Sequence, residues 1–358
     1  MVVSTETKTL KVFSQLVREV VKPEKCTFCG ACISVCPVRA IGVKDGWPTL
    51  TGRCILCQLC YYQCPKVEPT LEELEKELFK NEGGIGNPLG FYKAIYMAES
   101  TDEKIKFKAA NGGVVTTLLK IALEDRLVDC ATVAVADGSE GWMPEAKVAS
   151  TFQEVLEAAG SKYTYCPMVT ALASAFYEYM RSSVAFVGTP CQVLSVRKMQ
   201  LTSMGHRKLG EAAKLIIGLF CMENFNYSLI SEFLPSIGVK PEAVFKFDIS
   251  SGKFNAYSEN GENIVSISVK ELEKYSRSGC KTCPDLTARL SDVSVGSIGS
   301  KPGFSTVIIR TDVGEAIFKK ALELKAIRAE EISEQGLKSL IRVAKVKWDR
   351  AERVREKV

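Results

Sequence analysis

Two cysteine runs of identical spacing lie in the first fifth of the chain. The first run reads Cys26-Thr-Phe-Cys29-Gly-Ala-Cys32-Ile-Ser-Val-Cys36-Pro37, and the second reads Cys54-Ile-Leu-Cys57-Gln-Leu-Cys60-Tyr-Tyr-Gln-Cys64-Pro65. Each run sets three cysteines three residues apart and adds a fourth cysteine that is followed by proline. One duplicated pattern therefore accounts for eight of the 14 cysteines in this chain of 358 residues.

This spacing is that of bacterial ferredoxins with two [4Fe–4S] clusters, in which the fourth cysteine of each run ligates the other cluster. A zinc site usually has two separated cysteine pairs instead of two four-cysteine runs closed by Cys-Pro. The pattern therefore predicts one-electron transfer. It predicts a first cluster on Cys26, Cys29, Cys32 and Cys64, and a second on Cys54, Cys57, Cys60 and Cys36.

Composition and charge narrow the class of protein. The chain is 46% hydrophobic and 25% charged, as expected for a folded protein. Clusters require a reducing interior, so we expect a cytoplasmic protein, or one held at the cytoplasmic membrane face by its partners. No start resembling a signal peptide and no membrane-length apolar stretch is found, which argues against direct membrane insertion. Each bound cluster together with its four thiolates would lower the formal charge of +5 by about two. The charge that remains gives no reason to expect a nucleic-acid partner.

The pattern of motifs divides the chain into five segments. Thr70 and Glu73 predict a capping box at the start of a helix, and Gly83–Gly90 reads as a linker. We therefore expect an N-terminal extension over 1–22, a ferredoxin-like domain with two [4Fe–4S] clusters over 23–68, a helix and linker over 69–90, a large domain over 91–345, and a charged C-terminal helix end over 346–358.

The large domain alternates short apolar strands with helical periodicity, which predicts a mixed α/β body. Turns of Ser-Gly and Asn-Gly between residues 244 and 268 predict a β-meander inserted into it. The charged tail 331–358 is expected to be a solvated or partner-facing helix. The strand candidates are 91–98, 128–136, 183–187, 214–220, 291–295 and 304–311. The helix candidates are 113–126, 151–159, 170–180, 191–200, 226–237 and 314–324.

Four cysteines of the large domain suggest a further site. Cys280 and Cys283 have the spacing of metal ligands, while Cys191 and Cys221 each follow an apolar strand. Backbone N–H groups at the start of a helix stabilise a thiolate. One pair and two single cysteines could thus supply four ligands. Spacing alone leaves open that they are buried cysteines and an isolated pair.

Six motifs occur in order and carry a resemblance. They are 112–119 (GGVVTTLL), 160–163 (GSKY), 188–192 (GTPCQ), 218–221 (GLFC), 280–285 (CKTCPD) and 303–311 (GFST through RT). Over about residues 91–345, the chain resembles the family of coenzyme F-420 hydrogenase/dehydrogenase beta subunits. With the fused two-cluster ferredoxin, it is most similar to the F subunits of archaeal F-420 dehydrogenases, which feed electrons to methanophenazine- or quinone-reducing complexes of methanogenesis and related respiration.

The resemblance implies a fold class and a reaction. The fold is expected to be mixed α/β: an N-terminal bacterial-ferredoxin-like domain, then a larger α+β flavin-binding domain with the β-meander insertion. The implied cofactors are FAD and a third [4Fe–4S] cluster on Cys191, Cys221, Cys280 and Cys283. The implied substrate is reduced coenzyme F-420, which gives up a hydride. A flavin can pass those two electrons on singly to clusters, so the protein need only position and tune its cofactors. We name no catalytic acid or base.

The expected FAD contacts follow the family motifs. Asn111, Gly112 and Gly113 open a helix whose N–H groups could meet a pyrophosphate. Lys162 and Tyr163 could contact phosphate and ring. The full set expected to bind FAD is Asn111, Gly112, Gly113, Val114, Thr116, Ser161, Lys162, Tyr163, Thr189, Pro190, Gln192, Ser300, Lys301, Gly303, Ser305 and Thr306.

The sequence leaves other readings open. The chain could be an electron-transfer adaptor without F-420 activity, or it could run in reverse as a ferredoxin-dependent reductase of F-420 or of a pigment. The expected partners are other proteins of an electron-transfer complex of the F-420 dehydrogenase or heterodisulfide-reductase type. Hydrogenase-type members of the family lack the fused ferredoxin, which makes direct pairing with a nickel–iron hydrogenase less expected here.

Overall fold

The computed structural model describes residues 10–80, 84, 86–136 and 141–355. Its N-terminal part is a small module in which the two cysteine runs form loops around a β-hairpin. Residues of the expected N-terminal extension belong to this module, because Leu16 and Val20 are buried in its core. The elements are α1 Phe13–Leu16, a π-helix Val17–Val21, α2 Ala31–Ser34, β1 Ile41–Lys44, β2 Trp47–Leu50, α3 Leu59–Tyr62 and α4 Leu71–Leu78.

The rest of the chain builds an eight-stranded mixed sheet and a separate three-stranded meander. The strands of the large sheet are β3 Ala94–Ser100, β4 Cys130–Val135, β5 Glu145–Ala149, β6 Val184–Gly188, β7 Ala213–Leu219, β11 Val293–Gly296, β12 Ser305–Ile309 and β13 Ile327–Glu331. The meander strands are β8 Lys246–Ser250, β9 Lys253–Tyr257 and β10 Asn263–Ser268.

Helices cover both faces of the large sheet. Phe186 and Val187, neighbours on one strand, enter two different apolar cores on the opposite faces, as the period of two requires. The α-helices of this part are α5 Glu103–Lys108, α6 Val114–Glu124, α7 Phe152–Glu157, α8 Val169–Tyr177, α9 Pro190–Leu201, α10 Arg207–Ala212, α11 Leu234–Ser236, α12 Asp312–Glu323 and α13 Glu334–Arg355. A π-helix spans Leu229–Phe233, and 3-10 helices span Pro241–Ala243, Glu273–Tyr275 and Ser278–Thr282.

Most strands of the large sheet run in the same direction, so their carboxyl ends lie at one edge of the sheet. The order is β13-β3-β12-β11-β7-β6-β4-β5, and β11, β7, β6 and β4 are parallel neighbours. Strand β3 is antiparallel to β12, which is itself antiparallel to β11, so β3 shares the direction of the parallel group. Ligand sites of open α/β sheets lie outside the carboxyl ends of the strands. Here that edge carries the chain segments that follow β3, β6, β7 and β11.

The mixed α/β class, the ferredoxin-type N-terminal module and the meander agree with the sequence. All six strand candidates form strands of the large sheet within a few residues of the predicted bounds. Strands β5 and β13 were not predicted, because each is short and half exposed. The helix expected over 226–237 is broken into a π-helix and one short turn of α-helix.

The tail and the linker differ in part from what the sequence predicts. The first residue of the tail, Glu331, is the last residue of β13. The helix that follows, α13, is not solvated on all sides, because Leu340, Ala344 and Lys347 are buried against the rest of the domain. The expected linker 83–90 includes Gly83 and Ile85, which lie outside the described residues. Its last part is packed, with Leu89 fully buried. Among the described residues no helix is long and apolar enough to cross a membrane.

Candidate iron–sulfur and flavin site

The structure brings together both four-cysteine sets that the duplicated pattern predicts. One cavity of the N-terminal module is lined by Cys26, Cys29, Cys32 and Cys64, and a second is lined by Cys36, Cys54, Cys57 and Cys60. The fourth cysteine of each run therefore joins the three close cysteines of the other run. We call these the inner and the outer group, because the first faces the large domain. All 14 cysteines are free.

The duplicated sequence has a duplicated backbone. The residue before the second cysteine of each run, Phe28 or Leu56, has a positive φ of 58° or 60°. In both runs its amide points at the first sulfur: the N–H groups of Phe28 and Leu56 lie 3.4 Å from Cys26 Sγ and Cys54 Sγ. Such N–H···S bonds favour the charged, metal-binding form of a thiol. Both loops are thus built to hold thiolates.

The separation of the cysteine side chains and the burial of their thiols fit a cluster better than a single metal ion. Within the described ranges no three Cys, His, Asp or Glu side chains converge closely enough to hold one metal ion, whereas zinc needs four sulfurs at about 2.3 Å. Burial raises the pKa of Cys60 to about 12 and that of Cys64 to about 11. Thiols buried in this way become thiolates only beside a strong positive charge, which the iron of a cluster supplies.

The four cysteines of the large domain also come together, as a third group. Burial raises the pKa of Cys221, and the nearby thiols Cys280, Cys191 and Cys283 raise it further. Cys191 and Cys221 come from the segments after β6 and β7, at the carboxyl edge of the sheet. Cys280 and Cys283 come from a 3-10 turn that follows the meander, and the Asn224 N–H lies 3.5 Å from Cys280 Sγ.

Helix capping explains how Cys191 is held. Thr189 caps α9, and Pro190 is the first residue of the helix, where its missing N–H costs nothing. Both ends of the Gln192 amide are used: Oε1 accepts from Thr189 N–H (2.8 Å), and Nε2 donates to the Cys166 carbonyl (2.6 Å). These residues orient Cys191 at a helix N-terminus.

A buried lysine compensates the negative charge of the third group. Lys347 of α13 is 1% exposed and donates to the Cys221 carbonyl. Burial alone would lower the pKa of Lys347, yet the neighbouring Cys283, Cys221 and Cys280 raise it above its ordinary value. The charged tail helix thus provides a cation inside the protein.

The third group is adjacent to the inner group. Ser195 of α9 donates to the Cys191 carbonyl (2.9 Å), and its hydroxyl lies 3.5 Å from Cys29 Sγ. Burial raises the pKa of Cys29, and the Cys191 thiol is near enough to raise it further. Cys32 of the inner group is in turn near Cys60 of the outer group. The three groups therefore follow one another from the sheet edge to the outside.

Charged side chains of the large domain fix the N-terminal module in place. Arg277 donates to the carbonyls of Cys26 (2.9 Å) and Gly46 (3.0 Å). Lys198, fully buried on α9, donates to the Cys64 carbonyl at 2.7 Å. Lys66 of the module donates in the opposite direction, to the Gly279 carbonyl at 2.8 Å. These contacts reach the backbone of the inner group itself.

The start of α6 matches only part of the expected FAD site. Gly113 caps the helix with φ 70° and has no side-chain cap, so the first N–H groups of the helix, from Val114 to Thr116, have no partner in the described structure. Gly112 is different, because its N–H donates to Ser305 Oγ (3.1 Å). A Cβ at Gly113 would press on Ile105 of this chain. The expectation that both glycines keep free N–H groups for phosphate was therefore wrong for Gly112.

Lys162 and Tyr163 are occupied by the protein. The Lys162 ammonium donates to the carbonyls of Ala158 (2.6 Å), Ala159 (3.0 Å) and Gly160 (3.1 Å), which uses all three of its protons. Burial lowers its pKa to about 8. Tyr163 accepts from the Ile249 N–H (3.0 Å) and packs in the core of the meander. The polar groups of both side chains are thus bonded within the protein, and neighbouring Ser161 forms a backbone bridge to the meander.

The loop between β11 and β12 lies at the same edge as the α6 start. Ser300 Oγ donates to the Ser297 and Phe304 carbonyls, and Thr306 Oγ1 donates to the Ile298 carbonyl, so both hydroxyls hold the loop. Gly303 has φ 80° and open space in front of its Cα. Lys301 lies over the Phe304 ring at 4.1 Å. Asn111, close to this loop, has a side chain without a hydrogen bond in the described structure.

Sequence reasoning missed the buried cations Lys198, Arg277 and Lys347. Each is in a segment with other charged residues, where a solvated side chain is the ordinary expectation. A signal did exist for Lys347, because it continues the apolar spacing of Leu340, Ala344 and Ala351 along α13. His206 is the N-cap residue of α10, and its ring lies 2.7 Å from the Tyr177 hydroxyl.

Comparison with known families identifies the large domain. Two family models of the coenzyme F420 hydrogenase/dehydrogenase beta subunit match it: the N-terminal model over residues 95–173 and the C-terminal model over residues 181–335. Residues 19–42, which include the first cysteine run, match "4Fe-4S binding domain". The chain therefore belongs to the family of coenzyme F420 hydrogenase/dehydrogenase beta subunits. It is a member with a 4Fe-4S domain at its N-terminal end.

Individual relatives agree with this assignment. The beta subunit of the coenzyme F420 hydrogenase of Methanothermobacter thermautotrophicus is 41% identical over 74% of this chain and 94% of its own length. The F subunit of the F(420)H(2) dehydrogenase of Methanosarcina mazei is 32% identical over 84% of each chain. A chain of the F420-reducing [NiFe] hydrogenase complex from Methanosarcina barkeri superposes with a TM-score of 0.71 at 36% identity, over 75% of this chain and 93% of that chain.

One relative is much longer. The coenzyme F420-dependent sulfite reductase of Methanocaldococcus jannaschii is 37% identical over 88% of this chain, which matches 48% of that protein. These relatives are F420-dependent oxidoreductases or their subunits, so the family places this chain among oxidoreductases.

Proposed function

We propose that this protein oxidises reduced coenzyme F-420 by transfer of a hydride to FAD, and passes the electrons singly through three [4Fe–4S] clusters to a partner complex. The proposal assigns one cluster to each of the three cysteine groups. When bound, the flavin would convert a two-electron donor into a source of single electrons, which clusters require.

The continuous row of three cysteine groups is the observation that carries the proposal. The third group lies at the carboxyl edge of the sheet, where the chain leaves free helix N–H groups and an open glycine loop. Ser195 touches both the third and the inner group, and Cys32 connects the inner group with the outer group. An adaptor that only relays electrons has no need of a third group at the same sheet edge as these free N–H groups.

The protein's own residues would do the positioning. The N–H groups at the start of α6 would face the FAD pyrophosphate, as helix N-termini commonly do. Gly303 would allow close approach of a flat ring. Asn111 has a free amide at the same place. Lys347 and Lys198 would hold a positive charge beside the third and the inner cluster, which favours the reduced, more negative state of each.

Known relatives indicate the range of partners. The sulfite reductase named above contains a segment like this chain in about half of its length. A module of this kind can thus serve a second catalytic body. For this chain we propose a separate electron-transfer complex of the F-420 dehydrogenase or heterodisulfide-reductase type, reached from the cytoplasmic side.

The test is anaerobic mixing of the cluster- and FAD-loaded protein with reduced F-420, followed at the deazaflavin absorbance band. We expect F-420 oxidation, flavin bleaching and the appearance of reduced-cluster signals in electron paramagnetic resonance. Protein stripped of FAD should show none of these changes but should still accept electrons from dithionite. A loaded protein that leaves reduced F-420 untouched while dithionite reduces its clusters would refute the F-420 activity and favour a simple adaptor.

A further inference from the structure

The outer cysteine group opens to the surface through a ring of apolar side chains. Its cavity is lined by Val38, Leu50 and Ile55 in addition to the cysteines, and all three are 43–55% exposed. Leu10 and Leu56, from adjoining segments, are also more than half exposed. We call these five side chains the outer apolar ring. The cavity of the inner group is lined instead by apolar residues of the same module that include Leu16 and Val20, both buried.

The rim of this ring is basic. Residues 36–58 contain Arg39, Lys44 and Arg53 but only one acid, Asp45. Arg53 directly precedes Cys54, is exposed, and has no ion pair in the described structure. Arg39 follows Val38 and has a single long contact to Glu178 (3.9 Å), with both side chains more than half exposed. An apolar centre with guanidinium groups at its edge is complementary to an apolar patch with a carboxylate rim.

We propose that the outer apolar ring is the docking surface for a small acidic iron–sulfur protein, which takes electrons from this chain one at a time. This inference rests on the proposed function for the direction of flow. In each encounter one electron leaves the cluster assigned to the outer group and reduces one oxidised iron–sulfur centre of the partner. No bond or proton is exchanged, so the surface needs to provide only close approach and exclusion of water.

Charge argues against two other occupants. A second copy of the chain would place Arg39 and Arg53 against the same residues of its partner in a twofold contact, which repels. Residues 1–9, which adjoin Leu10, contain Glu6 and Lys8, so they carry no excess of negative charge for the rim. A partner with many exposed carboxylates satisfies both the apolar ring and its arginines.

The experiment uses the full-length, cluster-loaded protein and, as probe, an oxidised acidic two-cluster ferredoxin. Binding is measured by titration calorimetry without F-420, so failure here is distinct from failure of the F-420 activity. Electron transfer is measured separately after reduction by dithionite, with benzyl viologen as an acceptor that needs no docking. We expect weak binding that falls as salt is raised. We expect Val38→Glu, Leu50→Glu and Arg53→Glu each to weaken it at least tenfold, and we expect Arg53→Glu, which lies outside the cavity lining, to leave viologen reduction unchanged.

Matched substitutions elsewhere serve as controls. Val313 is 49% exposed against 45% for Val38, and Arg207 is an exposed arginine on α10. Val313→Glu and Arg207→Glu should bind the ferredoxin as the parent does. Iron content is checked in every variant, so that a lost cluster is not mistaken for a lost surface.

Four results would overturn the proposal. The first is absence of ferredoxin binding, and the second is equal binding by the Val38→Glu, Arg53→Glu and control variants. The third is ferredoxin binding that is seen only after removal of residues 2–9, which would mean that the chain's own N-terminal segment occupies the ring in the full-length protein. The fourth is a dimer in sedimentation that Val38→Glu separates, which would assign the ring to a second copy.

Discussion

A buried ion pair between Arg289 and Glu75 joins the N-terminal module to the large domain. Arg289 is wholly buried, and its guanidinium binds the Glu75 carboxylate through two nitrogens. Glu75 also accepts the Phe91 N–H at 3.0 Å, where the chain enters the large domain. The change Glu75→Gln keeps the shape of the side chain and removes its charge.

The expected cost follows from what remains after the change. Removing one partner of a buried pair costs about 3–5 kcal/mol, because the other charge stays buried without compensation. Asp285 accepts the Arg289 backbone N–H and is near enough to compensate part of the charge. We therefore expect Glu75→Gln to lower the free energy of unfolding by about 3 kcal/mol, at the low end of that range.

The assay is anaerobic denaturant unfolding of the cluster-loaded protein, followed by tryptophan fluorescence. Trp348 is a local reporter, because the Arg289 guanidinium lies 5.0 Å from the centre of its ring. Glu77→Gln on the exposed side of the same helix is the control and should change stability by less than about 0.5 kcal/mol. A loss below about 1 kcal/mol for Glu75→Gln would refute the view that the substitution leaves most of the Arg289 charge buried without a partner.

Three further outcomes are expected. Cys283→Ala should lower iron from about twelve to about eight per chain and leave the ferredoxin-type signals intact, whereas Cys130→Ala, a buried cysteine outside the three groups, should keep all the iron. Lys347→Met should make the reduction potential of one cluster more negative, on the order of 60 mV per 1.4 kcal/mol of lost charge interaction; an unchanged potential in redox-titrated spectra would contradict its electrostatic role. Burial lowers the pKa of Lys162 to about 8, so the folded state loses this proton before the unfolded state does. Stability relative to Lys162→Met should then rise with pH, by about 2 kcal/mol from about pH 7 to about pH 9.5, and a flat difference in denaturant midpoints would be inconsistent with a buried ammonium.

The parts of this protein that sequence predicts best are those set by local spacing. The two cysteine runs determine their own loops, so the exchange of Cys36 and Cys64 between groups could be expected from the pattern and is seen in the geometry. The six strands of the large sheet that the sequence predicts are short apolar segments. Their signal does not depend on what packs against them.

Features that depend on distant partners could not be read in this way. Lys162 looks like a phosphate-binding residue beside Gly160 and Tyr163, but its ammonium caps the carbonyls of the preceding helix. Gly112 looks free for a ligand, but a serine almost two hundred residues away takes its N–H. Lys347 looks solvated until the fold places it beside Cys221. In each case the partner of a polar group comes from a tertiary contact that no local pattern contains.

The close fit at Gly279 has a consequence for biogenesis. A side chain there would collide with the carbonyls of Lys25 and Cys26, so the turn carrying Cys280 lies directly against the first cysteine run. Chains emerge from the ribosome N-terminus first, and domains generally fold in that order. The early-made module can therefore act as a template on which the late-made turn is shaped. Delivery of iron to the third group would then wait until the N-terminal module has folded correctly. Folding of that module would thus be a checkpoint for the whole chain.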